Sequence, residues 1–200
     1  MGNTDIFEAM AHGYDTPERI RIAKIASDAI REFIEDGQRK IAIDFGCGTG
    51  LVGLNLIDAF SSIVFVDTSR NMLDRIDRKT ADANIRHART LCLDLETGLA
   101  SDLRADYIFM AQVLLHIKEV EPVLTRLFEV LNPGGHLLIV DFDKNDNVKS
   151  DLVHPGFDQD DLIGLMTKIG YRDAASKNIY TGSKIFMNQD ATMFIADARK

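Results

Sequence analysis

Ile41-Ala42-Ile43-Asp44-Phe45-Gly46-Cys47-Gly48-Thr49-Gly50 is the stretch that decides the fold. An apolar, β-branched run ends in an acid and enters a turn with glycine at every second position. A strand buried on both faces reads as such a run. Glycines at its end let the backbone adopt positive φ and approach a ligand closely, while a helix start offers unpaired N–H groups. The stretch therefore predicts a strand over Ile41–Phe45, a ligand-binding turn, and a helix over Gly50–Ala59. It lacks the GxxxxGK[ST] phosphate loop. It also departs from the dinucleotide fingerprint, because the spacing is GxGxG and Asp44 would oppose a pyrophosphate. A carboxylate there suits a ligand carrying an ammonium or a hydroxyl.

Outward from this turn, strand and helix patterns alternate. Further strands are expected over Ile63–Val66, Ile85–Leu93, Tyr107–Met110 and His136–Phe142, and further helices over Arg70–Lys79 and Glu119–Leu131. Asn132-Pro133-Gly134-Gly135 breaks the chain between the last of these helices and the fifth strand. Before the first strand, Thr16-Pro17 caps a helix whose apolar positions run from Ile22 to Phe33, with Gly37 as its stop. Beyond Phe142 the pattern changes to a polar loop over Asp143–Gly156, then a helix over Asp160–Ile169. Two strands within Ala174–Thr181 and Thr192–Ala198 follow, with Thr181–Lys184 as their turn. Alternation predicts a doubly wound, Rossmann-like α/β sheet with helices on both faces, closed by an antiparallel last strand.

Acids follow four strands: Asp44, Asp67, Asp94 and Asp141. Parallel strands bring these ends to one side of the sheet, at the crevice where ligands bind. Asp67 can accept two hydrogen bonds from a ribose diol, or cap the next helix, although Thr68 and Ser69 are also available for that. Asp94 can accept an exocyclic adenine amine. Cys47 reads as a small packing residue in the turn, and Cys92 as core.

Composition narrows the function classes. The 200 residues are 46% hydrophobic and 27% charged, with a net charge of −8. That is enough apolar surface for one globular domain. An acidic chain lacks the broad attraction that nucleic acids and anionic membranes exploit, so neither is expected as a partner. Two cysteines cannot build a metal cage or a disulfide framework, and no metal is expected. No apolar run reaches the length of a membrane span, and Met1 to Ala11 carries no signal-peptide pattern. A cytoplasmic monomer or homodimer is the expectation.

Taken together, these residues resemble the class I S-adenosylmethionine-dependent methyltransferases, particularly their small-molecule branch. Asp44 to Gly50 is similar to the family's first motif, Asp67 to its ribose-binding acid and Asp94 to its adenine-side acid. Gln112 to Ile117 resembles the segment after the fourth strand, which often carries two histidines; only His116 stands here. Leu131 to Leu137 resembles the Pro-Gly-Gly turn before the fifth strand, and Met10 to Asp15 the segment that closes over the donor.

The resemblance implies a seven-stranded sheet and one domain in three parts. These are a lid and helix over residues 1–37, a donor-binding core over 38–142, and an acceptor-side region over 143–200. It implies S-adenosyl-L-methionine as donor and S-adenosyl-L-homocysteine as product. Donor contacts would come from Asp44, Gly46, Cys47 and Gly48 in the turn, and from Asp67, Thr68 and Met72 after the second strand. Asp94, Leu95, Gln112 and Tyr14 would complete the donor site. The activity implied is in-line methyl transfer to a small-molecule acceptor, in the EC 2.1.1 class. His116 and His154 are the candidate acceptor-side bases, since an ordinary imidazole titrates near neutrality. The alternatives are a non-catalytic donor-binding module, a methyltransferase acting on a macromolecule, and an NAD-dependent oxidoreductase.

Overall fold

The computed structural model describes residues 3–93 and 103–200, with side chains from Phe7 onward. One seven-stranded sheet runs in the order β3-β2-β1-β4-β5-β7-β6. Its strands are β1 Ile41–Phe45, β2 Ser62–Asp67, β3 Ala88–Cys92, β4 Ala105–Ala111, β5 Leu131–Phe142, β6 Arg172–Phe186 and β7 Gln189–Arg199. β1 to β5 are parallel, and β7 runs antiparallel between β5 and β6. The helices are α1 Asn3–Met10, α2 Pro17–Arg31, α3 Arg70–Asp82, α4 Val120–Val130 and α5 Gln159–Ile169.

Alternate residues of the central strands feed two cores, as the two-residue period of a strand requires. Ile43, Phe45, Ile108 and Met110 pack with α4 and α5, which contribute Leu124, Leu127, Leu162 and Met166. Ala42, Ile63, Phe65 and Phe109 pack with Ile22, Ala26 and Ile30 of α2 and Leu73 and Ile76 of α3. Burying each large side chain contributes about 1.5–3 kcal/mol. This is why the middle strands are apolar on both faces.

Three expectations about local structure are corrected. Residues 50–59 do not form an α-helix; only Gly53–Ala59 winds, as a 3-10 helix. Gly50 and Gly53 each cost about 1 kcal/mol in an α-helix relative to alanine. The N–H of Gly53 is also drawn to the Asp44 carboxylate at 3.0 Å. α2 starts as read, with the Thr16 side chain accepting from Arg19 N, but stops at Arg31 rather than at Gly37. The backbone turns left-handed at Asp36, and Gly37 lies so close to the Ala59 carbonyl that a Cβ would meet it at 2.3 Å. The hairpin turns at Met187-Asn188, with φ of 47° and 61°, and not at residues 181–184. Two successive positive φ values match the twist of the flanking strands. Gly182 instead sits where the β6–β7 register shifts.

Candidate active site

β1 and β4 are neighbours in the sheet, yet the chain leaves β1 toward β2 and returns to β4 on the opposite side. Reversal of strand order opens a crevice at the carboxyl ends of such strands. Here the cleft is walled by Tyr14, Arg19, Ile22, Ala23 and Ala26 of the N-terminal segment and α2. Its floor is Gly46 to Thr49 with Leu51 and Val52, and its far side is Ala111, Gln112 and Met193.

The glycine turn has the shape its sequence requires. Gly46, Gly48 and Gly50 have φ of +69°, +52° and +80°. Gly46 N and Cys47 N donate to Val66 O at 2.8 and 3.1 Å, which folds the turn over the end of β2. A Cβ on Gly48 would meet only the Tyr14 ring, at 3.7 Å, so this backbone faces the cleft. On the far side, Gln112 holds φ of +57° while its N–H donates to Val140 O at 2.7 Å. Strained non-glycine backbone of this kind concentrates at functional sites.

The acids at the strand ends turn inward and hold loops. Asp67 accepts from Gly48 N at 2.8 Å and from Ser69 N at 2.9 Å, so it braces the turn from behind. Burial pushes its carboxyl up, against the lowering effect of those N–H bonds. Asp44 is 3% exposed and accepts from Gly53 N. Burial, with the Asp67 charge adding to it, raises Asp44 to about 8. Asp141 is fully buried and accepts from Phe142 N at 2.8 Å and Leu115 N at 3.4 Å. It therefore anchors the 3-10 turn Leu114–His116, and burial raises it to about 7.

These raised acids set a pH dependence. In the unfolded chain both carboxyls lose their protons near pH 4. The folded chain keeps them until about pH 7 at Asp141 and about pH 8 at Asp44. Between these limits these two groups hold fewer protons in the unfolded state, so the stability they contribute is fully present below pH 4 and falls as pH rises. Asp15, Asp58 and Asp190 are lowered by their partners and act below that window. Asp141→Asn is expected to reduce the loss of stability between pH 4.5 and pH 8 by a few kcal/mol, at 1.36 kcal/mol per pK unit. Denaturant melts at the two pH values check this. An unchanged difference would show that Asp141 is ionised throughout.

The N-terminal segment lies across the cleft. The Thr49 hydroxyl donates to Asp15, and Lys79 of α3 bridges Asp15 at 2.8 Å and Thr49 O at 2.7 Å. These contacts hold Asp15 below the usual carboxylate range, although its partial burial opposes them. Glu8 of α1 accepts from Arg70 N and Asn71 N at 3.0 Å, at the start of α3 beside Asp67. Phe7 packs edge-on against His116 with ring centroids 5.1 Å apart.

The two candidate histidines sit in different surroundings. His116 lies after β4 as read, but burial pushes its imidazole down to about 4, which keeps the ring neutral and a weak proton acceptor. His154 is a loop anchor: its N–H donates to Leu115 O at 2.8 Å, and its Nε2 bonds Ile117 O at 2.7 Å.

Of the donor contacts expected from sequence, Tyr14, Gly46, Cys47, Gly48 and Gln112 line the cleft together. Asp67 and Thr68 stand at the end of β2, behind Gly48. Two other expected residues do not line the cleft. Asp44 is held on the Gly53 N–H, and Met72 is 1% exposed, its N–H donating to the N-cap Ser69. Asp94 and Leu95 lie outside the described residues. Sequence reasoning missed Arg19 and the Asp15–Thr49–Lys79 clasp. Arg19 was readable in principle, because it continues the helical stripe of Ile22, Ala23 and Ala26 that faces the cleft. Among the described residues no cluster of three or more histidine, cysteine or acidic groups could hold a metal, and no helix is long and apolar enough to cross a membrane.

A cleft at the switch point of a 3-2-1-4-5-7-6 sheet, floored by a glycine turn and backed by an acid on β2, has the Rossmann-like architecture at which nucleoside-containing ligands bind. Comparison with known proteins narrows this. A methyltransferase-domain family model matches residues 43–137. An uncharacterized methyltransferase of Schizosaccharomyces pombe is 23% identical over 88% of this chain and 75% of its own length. Phosphoethanolamine N-methyltransferase 2 of Caenorhabditis elegans is 29% identical, covering 70% of this chain but 30% of the relative. The tRNA 5-carboxymethoxyuridine methyltransferase of Escherichia coli is 25% identical, covering 72% of this chain and 56% of the relative. The N-methyltransferase NodS of Bradyrhizobium japonicum, solved with S-adenosyl-L-homocysteine, superposes with a TM-score of 0.77 at 16% identity over 100% of this chain and 99% of that one. The chain is thus similar in sequence to methyltransferases, and in fold to S-adenosylmethionine-dependent ones.

Proposed function

We propose that this chain transfers the methyl group of S-adenosylmethionine to a small-molecule nucleophile, as a cytoplasmic monomer or homodimer. The observation that carries this reading is the N-terminal segment across the cleft, with Tyr14 against Gly48 and Phe7 against His116. A site roofed this way fits a small acceptor better than an extended polymer. The net charge of −8 also gives a polyanion little attraction.

The donor supplies a methyl already activated by its sulfonium. Gly46 and Gly48 let the backbone pass beneath the donor's amino-acid tail, with Asp67 at the ribose. Tyr14 and the segment around it exclude water. His116 forms part of the acceptor wall as a neutral ring. With the donor bound, an acceptor lone pair would form the new bond to carbon as the sulfonium C–S bond breaks, and any proton left on the methylated product would be lost to solvent once it leaves the cleft. Positioning of this kind can account for a large part of the acceleration.

Two arms test the reading. Donor carrying a labelled methyl is incubated with a panel of small amines, thiols, phenols and carboxylates, and separately with bulk tRNA. Label on a small acceptor is expected; label on tRNA alone would overturn the small-molecule reading. With an acceptor found, His116→Ala is expected to lower kcat by less than about tenfold. The pH profile should show no inflection near the ordinary imidazole value. A general base would cost about 10²–10⁴, and a loss of that size would restore His116, or His154 in the matching variant, as the base.

A further inference from the structure

Asp141 is fully buried next to the end of β5. A buried carboxyl costs free energy unless hydrogen bonds offset the lost water. Among the described residues, the groups that offset this burial are backbone N–H groups and include no cation. Phe142 N donates to Oδ1 at 2.8 Å and Leu115 N to Oδ2 at 3.4 Å, and the Leu114 N–H adds to them. The preceding residue, Val140, takes Gln112 N on its carbonyl at 2.7 Å. Two successive residues of β5 therefore hold the segment after β4 by its N–H groups.

Leu115 passes this hold onward. Its carbonyl accepts from His154 N at 2.8 Å, and His154 Nε2 bonds Ile117 O at 2.7 Å, which requires the ring proton on Nε2. His154 thus grips two carbonyls of the turn that Asp141 fixes by its N–H groups. The loop around His154 is closed at its base, where Phe157 N donates to Phe142 O at 3.0 Å and Asn145 N to Pro155 O at 2.7 Å. Val148 of this loop packs in one core with Phe142 and Met193, and Met193 lines the cleft. We propose that Asp141 is the positioning residue of the acceptor side: it holds the turn Leu114–His116, and through Leu115 and His154 the loop 143–157, while touching neither donor nor acceptor. The acceptor side is that of the proposed function, on which this inference rests.

Amide hydrogen exchange and titration with S-adenosyl-L-homocysteine, on wild type, Asp141→Asn, Asp141→Ala and His154→Ala, test the assignment. Each exchange rate is taken against the core amide of Phe65, so a general loss of stability cancels. Asp141→Ala removes the acceptor of a buried N–H and is expected to speed relative exchange about tenfold or more at both Leu115 and His154. Asparagine keeps one carbonyl oxygen, so Asp141→Asn should fall between. His154→Ala should speed exchange at residue 154 and leave Leu115 N, still on Asp141, within a few-fold. Affinity for S-adenosyl-L-homocysteine should stay within a few-fold in every variant. With an acceptor from the labelled-methyl panel, Asp141→Asn should raise the acceptor KM about tenfold. The donor KM, and kcat at saturating acceptor, should stay within a few-fold. Adding His154→Ala to Asp141→Asn should cost little more, since both act on one path. Uniform speeding, faster exchange at Leu115 without His154, or a loss of product affinity as large as the acceptor effect would overturn the assignment and leave the methyl-transfer reading intact. A panel that labels no small acceptor would count against the proposed function instead, and the exchange ratios would still decide whether Asp141 holds the loop.

Discussion

Gly46→Ala is expected to lower stability by roughly 2–5 kcal/mol and to weaken donor binding more than tenfold. The backbone at Gly46 has φ of +69°, a region that alanine enters only with strain. The added Cβ would also stand 2.6 and 2.7 Å from the two Val113 methyl carbons. Val113 is 6% exposed and packed in the core on the α4 side, so it cannot swing away cheaply. Because Gly46 N is bonded to Val66 O, a retreat of the turn would break its tie to β2. Val113→Ala should restore the part of the loss that comes from contact and leave the part that comes from φ. Denaturant melts of the two single variants and the double variant measure both parts. A Gly46→Ala protein within about 0.5 kcal/mol of wild type, the range of an ordinary surface change, would show that this turn is not held as described.

Asp67→Ala is expected to cost donor affinity about 10–100-fold, the scale of lost hydrogen bonds to a charged group. The effect has two sources. The variant loses the acceptor proposed for the ribose hydroxyls, and it strips the acceptor from Gly48 N and Ser69 N. Donors left without a partner cost about 1–3 kcal/mol each where they are buried. The turn should therefore loosen as well, and hydrogen exchange at Gly48 should accelerate. Asp67→Asn keeps one carbonyl oxygen and is expected to be intermediate in both respects. Unchanged affinity in calorimetry, with the fold intact, would remove Asp67 from the donor site.

The strand-end acids show what could be read from the sequence. Their positions follow from periodicity, since each ends an apolar run, and parallel topology then places them on one edge. Their roles do not follow. Asp44, Asp67 and Asp141 all accept backbone N–H groups of the loop beside them, at Gly53, Gly48 and Leu115. Which N–H comes within reach depends on how each loop folds back, and that depends on contacts distant in sequence. The same limit explains residues 50–59. Their apolar spacing suits a helix, but the buried Asp44 carboxylate competes for the Gly53 N–H. At the hairpin, Thr181–Lys184 reads as the turn in sequence. The ladder of β6 and β7 runs past it to Met187-Asn188, where two left-handed residues match the strand twist. Arg19 shows the reverse case. Its place on the α2 stripe was legible, but only the folded cleft shows its guanidinium over the Tyr14 ring.

The central claim is that the crevice between β1 and β4 binds the methyl donor through the glycine turn. Calorimetric titration of the wild-type chain with S-adenosyl-L-homocysteine tests it most directly, because the product binds without needing an acceptor. The account predicts saturable binding at one site per chain, weakened by Gly46→Ala and Asp67→Ala. A folded wild-type chain that shows no saturable heat with this ligand, or binding that neither variant changes, would contradict it.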